Sequence, residues 1–566
     1  MNRNFIKSLA ILTAGIETIS CSSTTQKEVK HPNIIYIMSD DHAYQAISAY
    51  GEPLAKVAPT PNIDRIANNG MRFNRCYVTN SLSGPARATI LTGEYSHING
   101  FKDNFGGSRF DSSLITFPKV LQKAGYQTAI IGKWHLGSDP TGFDYWDILP
   151  GQGVYYNPEF INSTGHYPTS GYVTEIITEK ALKWLDQAKK SGKPFMLMMH
   201  HKAPHHNWQP GPNELGMYDN VVFPEPATLF DNYANRGPAE HNQNMTIANT
   251  MRLDMDLKLT SRPQRGLDSA QQKLWDAEYR PKLEEFNKLN ITGTALTQYK
   301  YQRFLEDYLA CVAAVDKSVG DVLDYLKKNG LDKNTIVVYT SDQGFYLGEH
   351  GWFDKRWMFN ESLRTPLLIE WPGVIKPGSV NNDMVSSLDF AETFIDAAGA
   401  DIPQQMQGQS FLPILKGQKQ ANPRTEHYYH YYEAPSEHYV PRHYGITTDR
   451  YKLIHFYYNM QNNINEWELF DLEKDPNELV NVYNNPEYSS VRDSMHIELK
   501  KLMAKYKDSD SLAMKFVQET IDHPPFMYWL IPQDSLMKMY MPNHNGNRTE
   551  KSMDHTGKNT SKVLTH

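Results

Sequence analysis

The stretch "NIIYIMSDD", from Asn33 to Asp41, decides the fold of this 566-residue chain. Its apolar part is continuous rather than alternating, which is typical of a strand buried on both faces of a mostly parallel sheet. Three further runs have the same form, and each stops at a polar cluster: "TAII" before "GKWHLG", "FMLMM" before "HHKAPHH" and "TIVVYT" before "SDQG". The repetition predicts several buried strands whose ends carry polar side chains.

Helices are predicted between these strands. The clearest one runs from Phe304 to Leu326, where apolar residues recur every three or four positions, and "KKNG" ends it. Buried strands that alternate with helices indicate an α/β fold with a large, mostly parallel sheet. In such sheets, ligands bind outside the carboxyl ends of the strands, which is where the polar clusters fall.

Two of these clusters are acidic. Asp40 and Asp41 follow the first strand, and Asp342 with Gln343 follows the "TIVVYT" strand. Three carboxylates and an amide oxygen suit a hard divalent cation such as Ca²⁺. Adjacent acids are often only turn residues or helix caps, so the argument for a metal site depends on both pairs ending buried strands.

Basic side chains and histidines lie near the same strand ends. Arg87, Lys133 and Lys355 would hold an anion, and His135 and His205 would move protons. No closely spaced Cys or His ligands of zinc type occur, yet His135 and His205 together with His350 leave a zinc or two-metal site open. Each residue alone would be an ordinary core or surface residue, and only their shared location indicates a site.

The first 21 residues are typical of an export signal. Arg3 and Lys7 precede a short apolar run, and small residues lead to Cys21, the position expected for a lipid-modified cysteine. Cleavage by an ordinary signal peptidase is the alternative. The only other cysteines, Cys76 and Cys311, are far apart and favour two separate buried thiols. A net charge of −7 without a basic stripe argues against nucleic acid as a partner.

The segment "SLSGPARATILTG", Ser81 to Gly93, contains a serine without any nearby activating group. No histidine or carboxylate lies within it, and it is not the G-x-S-x-G elbow of a serine hydrolase. Ser83-Gly84-Pro85-Ala86-Arg87 followed by Thr92-Gly93 resembles instead the signature of type I sulfatases of the alkaline phosphatase superfamily. Further motifs match in family order: "SDD", "GKWHLG", "APH", "SDQGFYLGEHGWFDKRW", "GITTDRYKLI" and "WELFDLEKDPNE".

The resemblance implies a role for each site residue. Ser83 would be oxidised after translation to formylglycine, which explains why no base stands beside its hydroxyl. One hydroxyl of the hydrated aldehyde would attack sulfur, and the second would allow the covalent sulfate to be expelled. In family terms Arg87 supports the formylglycine, His135 assists expulsion, Lys133 and Lys355 hold sulfate, and His205 protonates the leaving alcohol, with His206 as a neighbouring alternative.

The metal and maturation expectations follow the same resemblance. One Ca²⁺ would be bound by Asp40, Asp41, Asp342, Gln343 and the Ser83-derived group. Gln343 stands where many members have asparagine, which keeps the carbonyl ligand on a longer arm. Serine rather than cysteine at position 83 implies an anaerobic, serine-type sulfatase-maturing enzyme as a partner.

The implied architecture has two domains. An α/β domain would span residues 30–417, with an excursion of loops and short helices at 208–290. A smaller α+β domain with an antiparallel sheet would span residues 424–540, before a polar tail at 541–566. Within that domain Arg442 and His443 are the expected substrate contacts.

The function expected from these features is exported sulfate-ester hydrolysis on glycans. The later motifs most resemble bacterial carbohydrate sulfatases of the N-acetylglucosamine-6-sulfatase type. Alternatives are a 2-O- or 3-O-sulfatase, a sulfatase for galactose or galactosamine, a two-metal phosphatase or phosphodiesterase, and a non-catalytic sugar-binding lipoprotein. We expect a periplasmic or outer-membrane location in a Gram-negative bacterium, with membrane contact only through a lipid on Cys21.

Overall fold

The structure is a computed structural model that describes residues 31–524, apart from residues 106–107, 435 and 460–463. The predicted signal segment with Cys21, the end of the second domain and the polar tail lie outside the described residues. Within the described part, no helix combines the length and apolar character needed to cross a bilayer.

A ten-stranded sheet forms the large domain, and its central strands are parallel. All four strands predicted from the sequence lie side by side in its centre. In spatial order the strands are Ser379–Asn381, Met71–Phe73, Leu367–Glu370, Thr335–Ser341, Asn33–Ser39, Phe195–His201, Gln127–Lys133, Tyr145–Leu149, Glu159–Asn162 and Gly165–Pro168.

Both faces of this sheet are covered, as continuous apolar strands require. In the first strand Ile35 and Ile37 join the core on one face, and Ile34 and Tyr36 join the core on the other. The helices of the large domain are Pro61–Asn69, Ser83–Thr92, Ser96–Asn99, Phe117–Lys123, Val173–Ala188, Pro238–Asn242, Ser269–Phe286, Gly293–Lys328, Asn360–Leu363, Phe390–Ala397 and Leu412–Leu415.

The longest helix, Gly293–Lys328, begins well before the predicted start at Phe304. Its first turns are fixed by the excursion rather than by apolar periodicity. Lys300 donates hydrogen bonds to the Ala248 and Met251 carbonyls, and Tyr301 donates one to the Pro224 carbonyl. These contacts are tertiary, so the local apolar pattern did not reveal them.

The excursion 208–290 contains one substantial helix, Ser269–Phe286, capped by Asp268 in a capping box. Loops and short helices were expected in this region, and this helix has 18 residues. Cys76 and Cys311 are both buried and free.

The smaller domain has a four-stranded antiparallel sheet, in agreement with the expected fold class. Leu453 and Leu469 on its strands share a core with Leu499 of the helix Ser489–Lys505. The strands are Glu426–Tyr431, Arg442–Thr448, Tyr451–Tyr458 and Glu466–Asp471, and the last described helix is Asp510–Asp522. Two further sheets have two strands each. One pairs Tyr346–Leu347 with Phe353–Asp354 in antiparallel fashion, and the other pairs Cys76–Tyr77 with Val385–Ser386 in parallel fashion.

Candidate active site

Ser83 is the first residue of the helix Ser83–Thr92, and this helix is buried along its whole length. The Ser83 hydroxyl donates to Asp40 Oδ1 at 3.0 Å. Next to it, the Gly84 N–H donates to Asn104 Oδ1 at 3.1 Å, and a Cβ on Gly84 would lie 2.5 Å from that same oxygen. Glycine is therefore needed beside Ser83 because Asn104 packs directly on the backbone.

The two acidic pairs meet at one edge of the sheet. Ser39 and Ser341, the last residues of adjacent parallel strands, are paired in register, so the residues that follow them are brought together. The Asp41 N–H donates to Asp342 Oδ1 at 3.2 Å. Asp40 and Asp41 each offer a carboxylate oxygen within 4.8 Å of the other's and of a His205 ring nitrogen.

Three positively charged side chains surround these acids. Lys355 Nζ contacts Asp41 Oδ1 at 2.5 Å and Oδ2 at 2.7 Å. Lys133 forms an ion pair with Asp40 Oδ2, and Arg87 Nη2 contacts Asp342 Oδ2 at 3.0 Å. The structure thus brings together every basic residue that the sequence assigned to anion binding.

Burial and charge compete in setting the protonation of these acids. Burial raises the pKa of Asp41 to about 6, against the lowering effect of Lys355. Burial also works to raise the pKa of Asp342, but Arg87, Lys133 and Lys355 hold it below its usual value. For Lys133, burial together with the charge of Lys202 holds the pKa well below its usual value.

The donor set fits a hard divalent cation. Gln343 is fully buried, its amide N–H donates to Asp41 Oδ1, and its Oε1 has no hydrogen-bond partner among the described residues. An oxygen in that position lacks a positive partner, which a cation would supply. Asp40, Asp41, Asp342 and Gln343 together offer only oxygen ligands, as Ca²⁺ prefers.

His205 faces the acids, with its Nε2 at 3.8 Å from Asp41 Oδ2. Its Nδ1 lies 2.7 Å from the His206 carbonyl, which fixes the orientation of the ring. His206 instead contacts Asp256 Oδ1 at 2.5 Å through its Nε2. Burial and the charges of Lys133 and Lys202 hold the pKa of His205 well below its usual value.

His135 follows Lys133 with φ of 58°, a left-handed backbone conformation that is uncommon for histidine. Its Nδ1 is buried and has no hydrogen-bond partner in the described part of the chain. Burial, together with the charges of Lys133 and Arg87, lowers the pKa of its imidazole well below the usual value.

His350 does not join the acids that were considered for a two-metal site. Its Nδ1 contacts Asp231 Oδ2 at 3.1 Å and Arg236 at 3.3 Å. The side chains that contact the acidic pairs are Lys133 and Lys355. Their ammonium groups lie where a second metal ion would need further ligands.

The structure gives Arg442 and His443 different surroundings. Arg442 lines a small cavity with Lys102, and its Nη2 donates to Thr520 Oγ1 at 2.5 Å. The ring of His443 is fully buried, stacks on Tyr429 and has a pKa lowered by burial to about 3. Both side chains are thus buried, Arg442 beside a cavity and His443 among aromatic rings, and their contact with substrate stays a prediction.

Sequence reasoning missed a charged chain beside Lys355. Arg356 contacts Glu433 Oε1 at 2.7 Å and Asp354 Oδ2 at 3.0 Å. Glu433 Oε2 accepts from the Asn104 N–H at 2.9 Å, and Asn104 in turn holds Gly84. The adjacent charges of "FDKRW" were the only local signal of this chain, because Glu433 comes from the other domain.

A buried serine beside clustered acids and cations, at the carboxyl edge of this sheet, defines an alkaline-phosphatase-like hydrolase of anionic esters. The sulfatase family model matches residues 32–400, and a model of the C-terminal part of N-sulphoglucosamine sulphohydrolase matches residues 348–505. The chain belongs to the sulfatase family.

Relatives with assigned activities resemble most of the chain. An N-acetylglucosamine-6-O-sulfatase of Bacteroides thetaiotaomicron is 48% identical over 89% of this chain and 91% of its own length. The human N-acetylglucosamine-6-sulfatase is 27% identical over 69% of this chain and 65% of its own length. The solved structure of BT4656 with its substrate D-glucosamine-2-N,6-O-disulfate is 49% identical, with a TM-score of 0.82 over 85% of this chain and 99% of that chain.

Proposed function

We propose that this sulfatase removes the 6-O-sulfate of N-acetylglucosamine units in sulfated glycans. The substrate assignment rests on one observation: a relative with that activity is 48% identical to this chain across most of both chains. Similarity over 89% of this chain extends well beyond the catalytic residues that sulfatases share, and so into the residues that select the substrate. Glycosaminoglycan or mucin fragments are the proposed natural sources of the sugar.

We propose further that Ser83 is converted to formylglycine and that Asp40, Asp41, Asp342 and Gln343 hold one Ca²⁺. Formylglycine supplies a nucleophilic hydroxyl when hydrated, and Ca²⁺ supplies positive charge beside it. The fit rests on the Ser83 hydroxyl at 3.0 Å from Asp40 and on the unpartnered Gln343 oxygen.

The basic side chains have the contacts that sulfate binding requires. Lys133 and Lys355 are buried and already donate to carboxylate oxygens, so a bound sulfate would offer them an equivalent anionic partner. Arg87 donates to Asp342 and to the Lys133 carbonyl, and both bonds hold its guanidinium in place beside Ser83. We assign Lys133 and Lys355 to sulfate oxygens and Arg87 to support of residue 83.

Proton transfer falls to the two histidines. With His205 Nδ1 held at the His206 carbonyl, Nε2 is the nitrogen free to donate to the departing alcohol oxygen. A bound sulfate raises the proton affinity of that ring because its charge opposes those of Lys133 and Lys202. His135, with its unpartnered Nδ1, is assigned to the expulsion of sulfate from residue 83.

The deciding experiment measures sulfate release by matured enzyme from a panel of sulfated sugars. The panel holds N-acetylglucosamine-6-sulfate, glucosamine-2-N,6-O-disulfate, the 3-O-sulfate isomer, galactosamine-6-sulfate and a 2-O-sulfated uronic acid. We expect the 6-sulfated glucosamines to be cleaved with the highest kcat/KM. Preference for galactosamine or for a uronic acid would overturn the substrate, and hydrolysis of phosphate esters with two bound zinc ions would overturn the chemistry.

Maturation has its own measurement. The peptide containing Ser83, isolated from the native host grown without oxygen, should have lost two hydrogens and should react with a hydrazine probe. Full activity with unmodified serine would contradict the formylglycine proposal.

We also propose export through the first 21 residues, with lipid attachment at Cys21. The support is the charged start, apolar run and cysteine of that segment. A palmitate analogue fed to the host should label the wild-type chain and not Cys21→Ala. An unlabelled, cleaved protein would instead be a periplasmic enzyme without an anchor.

A further inference from the structure

Three glutamates meet where the excursion contacts the smaller domain, outside the sulfatase site. Glu240 lies in the short helix Pro238–Asn242, and Glu466 and Glu468 lie on the strand Glu466–Asp471. We call these three residues the acidic trio. Because strand residues two apart point to the same face, Glu466 and Glu468 both face Glu240. Each member offers a carboxylate oxygen within 4.8 Å of the others.

Burial sets the acidic trio apart from an ordinary surface cluster. Glu240 and Glu468 are each 0% exposed. Neither oxygen of Glu240 has a hydrogen-bond partner among the described residues, and the same holds for Oε2 of Glu468. A buried carboxylate without donors is costly, so the missing partner must be a positive charge or a proton.

The backbone lets the carboxylates approach closely. The Ala239 N–H donates to Glu466 Oε2 at 3.2 Å, and the Gly237 N–H donates to Glu468 Oε1 at 3.4 Å. A Cβ on Gly237 would lie 1.2 Å from Glu466 Oε1, so only glycine allows this carboxylate its position. Each of these bonds gives one oxygen of Glu466 or Glu468 a hydrogen-bond donor. Both oxygens of Glu240 and Oε2 of Glu468 are left without a donor among the described residues.

Arg236, whose charge acts on Glu468, is already engaged elsewhere. Arg236 forms an ion pair with Asp231 and donates to the Glu478 carbonyl at 3.1 Å. Glu466 also lines a cavity of about 960 Å³ together with Trp467 and Asn465, so one of the three carboxylates borders an open space. The surroundings therefore leave space beside Glu466, while the described residues supply no ammonium or guanidinium contact to Glu240.

We propose that the acidic trio binds a second Ca²⁺, separate from the ion assigned to the sulfatase site. Oxygen-only ligands and three carboxylates suit calcium, which accepts further oxygens from water. The ion would join the excursion to the smaller domain, because one ligand comes from the first and two come from the second. Its role is structural, since none of the three glutamates contacts a residue of the sulfatase site in the hydrogen bonds and ion pairs of the described residues.

The competing explanation is a shared proton. Two carboxylates this close can be neutralised by one hydrogen held between them. The two explanations differ in their response to glutamine, which keeps a hydrogen-bonding amide in place of a protonated carboxyl but replaces a negatively charged metal ligand by a neutral, weaker one. Glu240→Gln and Glu468→Gln therefore test both.

The experiment is equilibrium dialysis of the full chain, stripped with EDTA, against radioactive Ca²⁺. Wild type should bind one more ion per chain than Glu240→Gln or Glu468→Gln. The matched control is Glu284→Gln, the same charge change at an exposed residue, and it should bind as many ions as wild type. If the buried variants fail to fold, the partly buried Glu466→Gln serves in their place.

Thermal unfolding gives the second measurement. Ca²⁺ should raise the Tm of wild type and of Glu284→Gln more than that of Glu240→Gln. Equal stoichiometry and equal Ca²⁺-induced shifts in all chains would overturn the second site and favour the shared proton. That result would leave the sulfatase proposal untouched, because substrate cleavage and binding of one ion by the catalytic acids would persist.

Discussion

Glu433 connects the smaller domain to the sulfatase site, and Glu433→Gln tests that connection. The carboxylate is 2% exposed and accepts from Arg356 at 2.7 Å and from the Asn104 N–H at 2.9 Å. A glutamine has one accepting oxygen, so its amide group must face one of these two donors. The variant therefore leaves one buried donor unpaired, which costs about 1–3 kcal/mol of stability.

An effect on catalysis should accompany this loss. Asn104 holds the Gly84 N–H beside Ser83, and Arg356 is adjacent to Lys355, so both ends of the chain of contacts touch the site. If about 1.4 kcal/mol of that energy is lost from positioning, kcat/KM falls about tenfold. We expect the loss mainly in kcat, since Glu433 does not itself contact Ser83 or the acidic pairs.

Glu437→Gln is the matched control. Glu437 contacts the same guanidinium at 3.3 Å, but its side chain is 48% exposed. Solvated ion pairs contribute only about 0–1 kcal/mol, so this variant should stay near wild type. The assays are urea unfolding and sulfate release normalised to the aldehyde content of each preparation. Equal behaviour of the two variants in both assays would refute the reasoning.

Three further predictions concern other parts of the chain. Ser83→Ala should abolish sulfate release while lowering stability by only about 1 kcal/mol, the value of one hydrogen bond, and residual turnover above background would contradict the assigned role. Asp508→Asn should destabilise the smaller domain by about 3 kcal/mol in urea unfolding, because the buried carboxylate accepts hydrogen bonds from His430 and Tyr428. The control Asp493→Asn, at an exposed residue, should leave the free energy of unfolding nearly unchanged. Burial works to raise the pKa of Asp231, but hydrogen bonds from His350 and Arg236 lower it from 3.8 to about 2. The ionised Asp231 carboxylate therefore stabilises the folded protein above about pH 4, and this contribution is lost as the pH falls toward 2. Wild type should have a higher free energy of unfolding than Asp231→Asn at about pH 4 and above, and this difference should become smaller as the pH falls toward 2. A difference that does not change with pH would argue against the ion pair.

The sequence alone determined the central sheet and the core of the site. Continuous apolar runs can be buried on both faces only in a covered, mostly parallel sheet, so "NIIYIM" and its three counterparts predicted the four central strands. Residues directly after neighbouring parallel strands must lie close together, which is why Asp40, Asp41, Asp342 and Gln343 were found from position in the sequence. The signature around Ser83 predicted the family, and the matching family model confirmed it.

Tertiary structure decided the contacts that join distant segments. His443 is buried because its strand turns it toward Tyr429 and away from the surface, and nothing in the local sequence fixes which face of that strand is covered. The long helix begins at Gly293 because the excursion supplies hydrogen-bond acceptors for Lys300 and Tyr301. Glu433 and the acidic trio depend on side chains from two domains meeting, and local periodicity reports only which face of one segment is apolar, never which residue from elsewhere will pack against it.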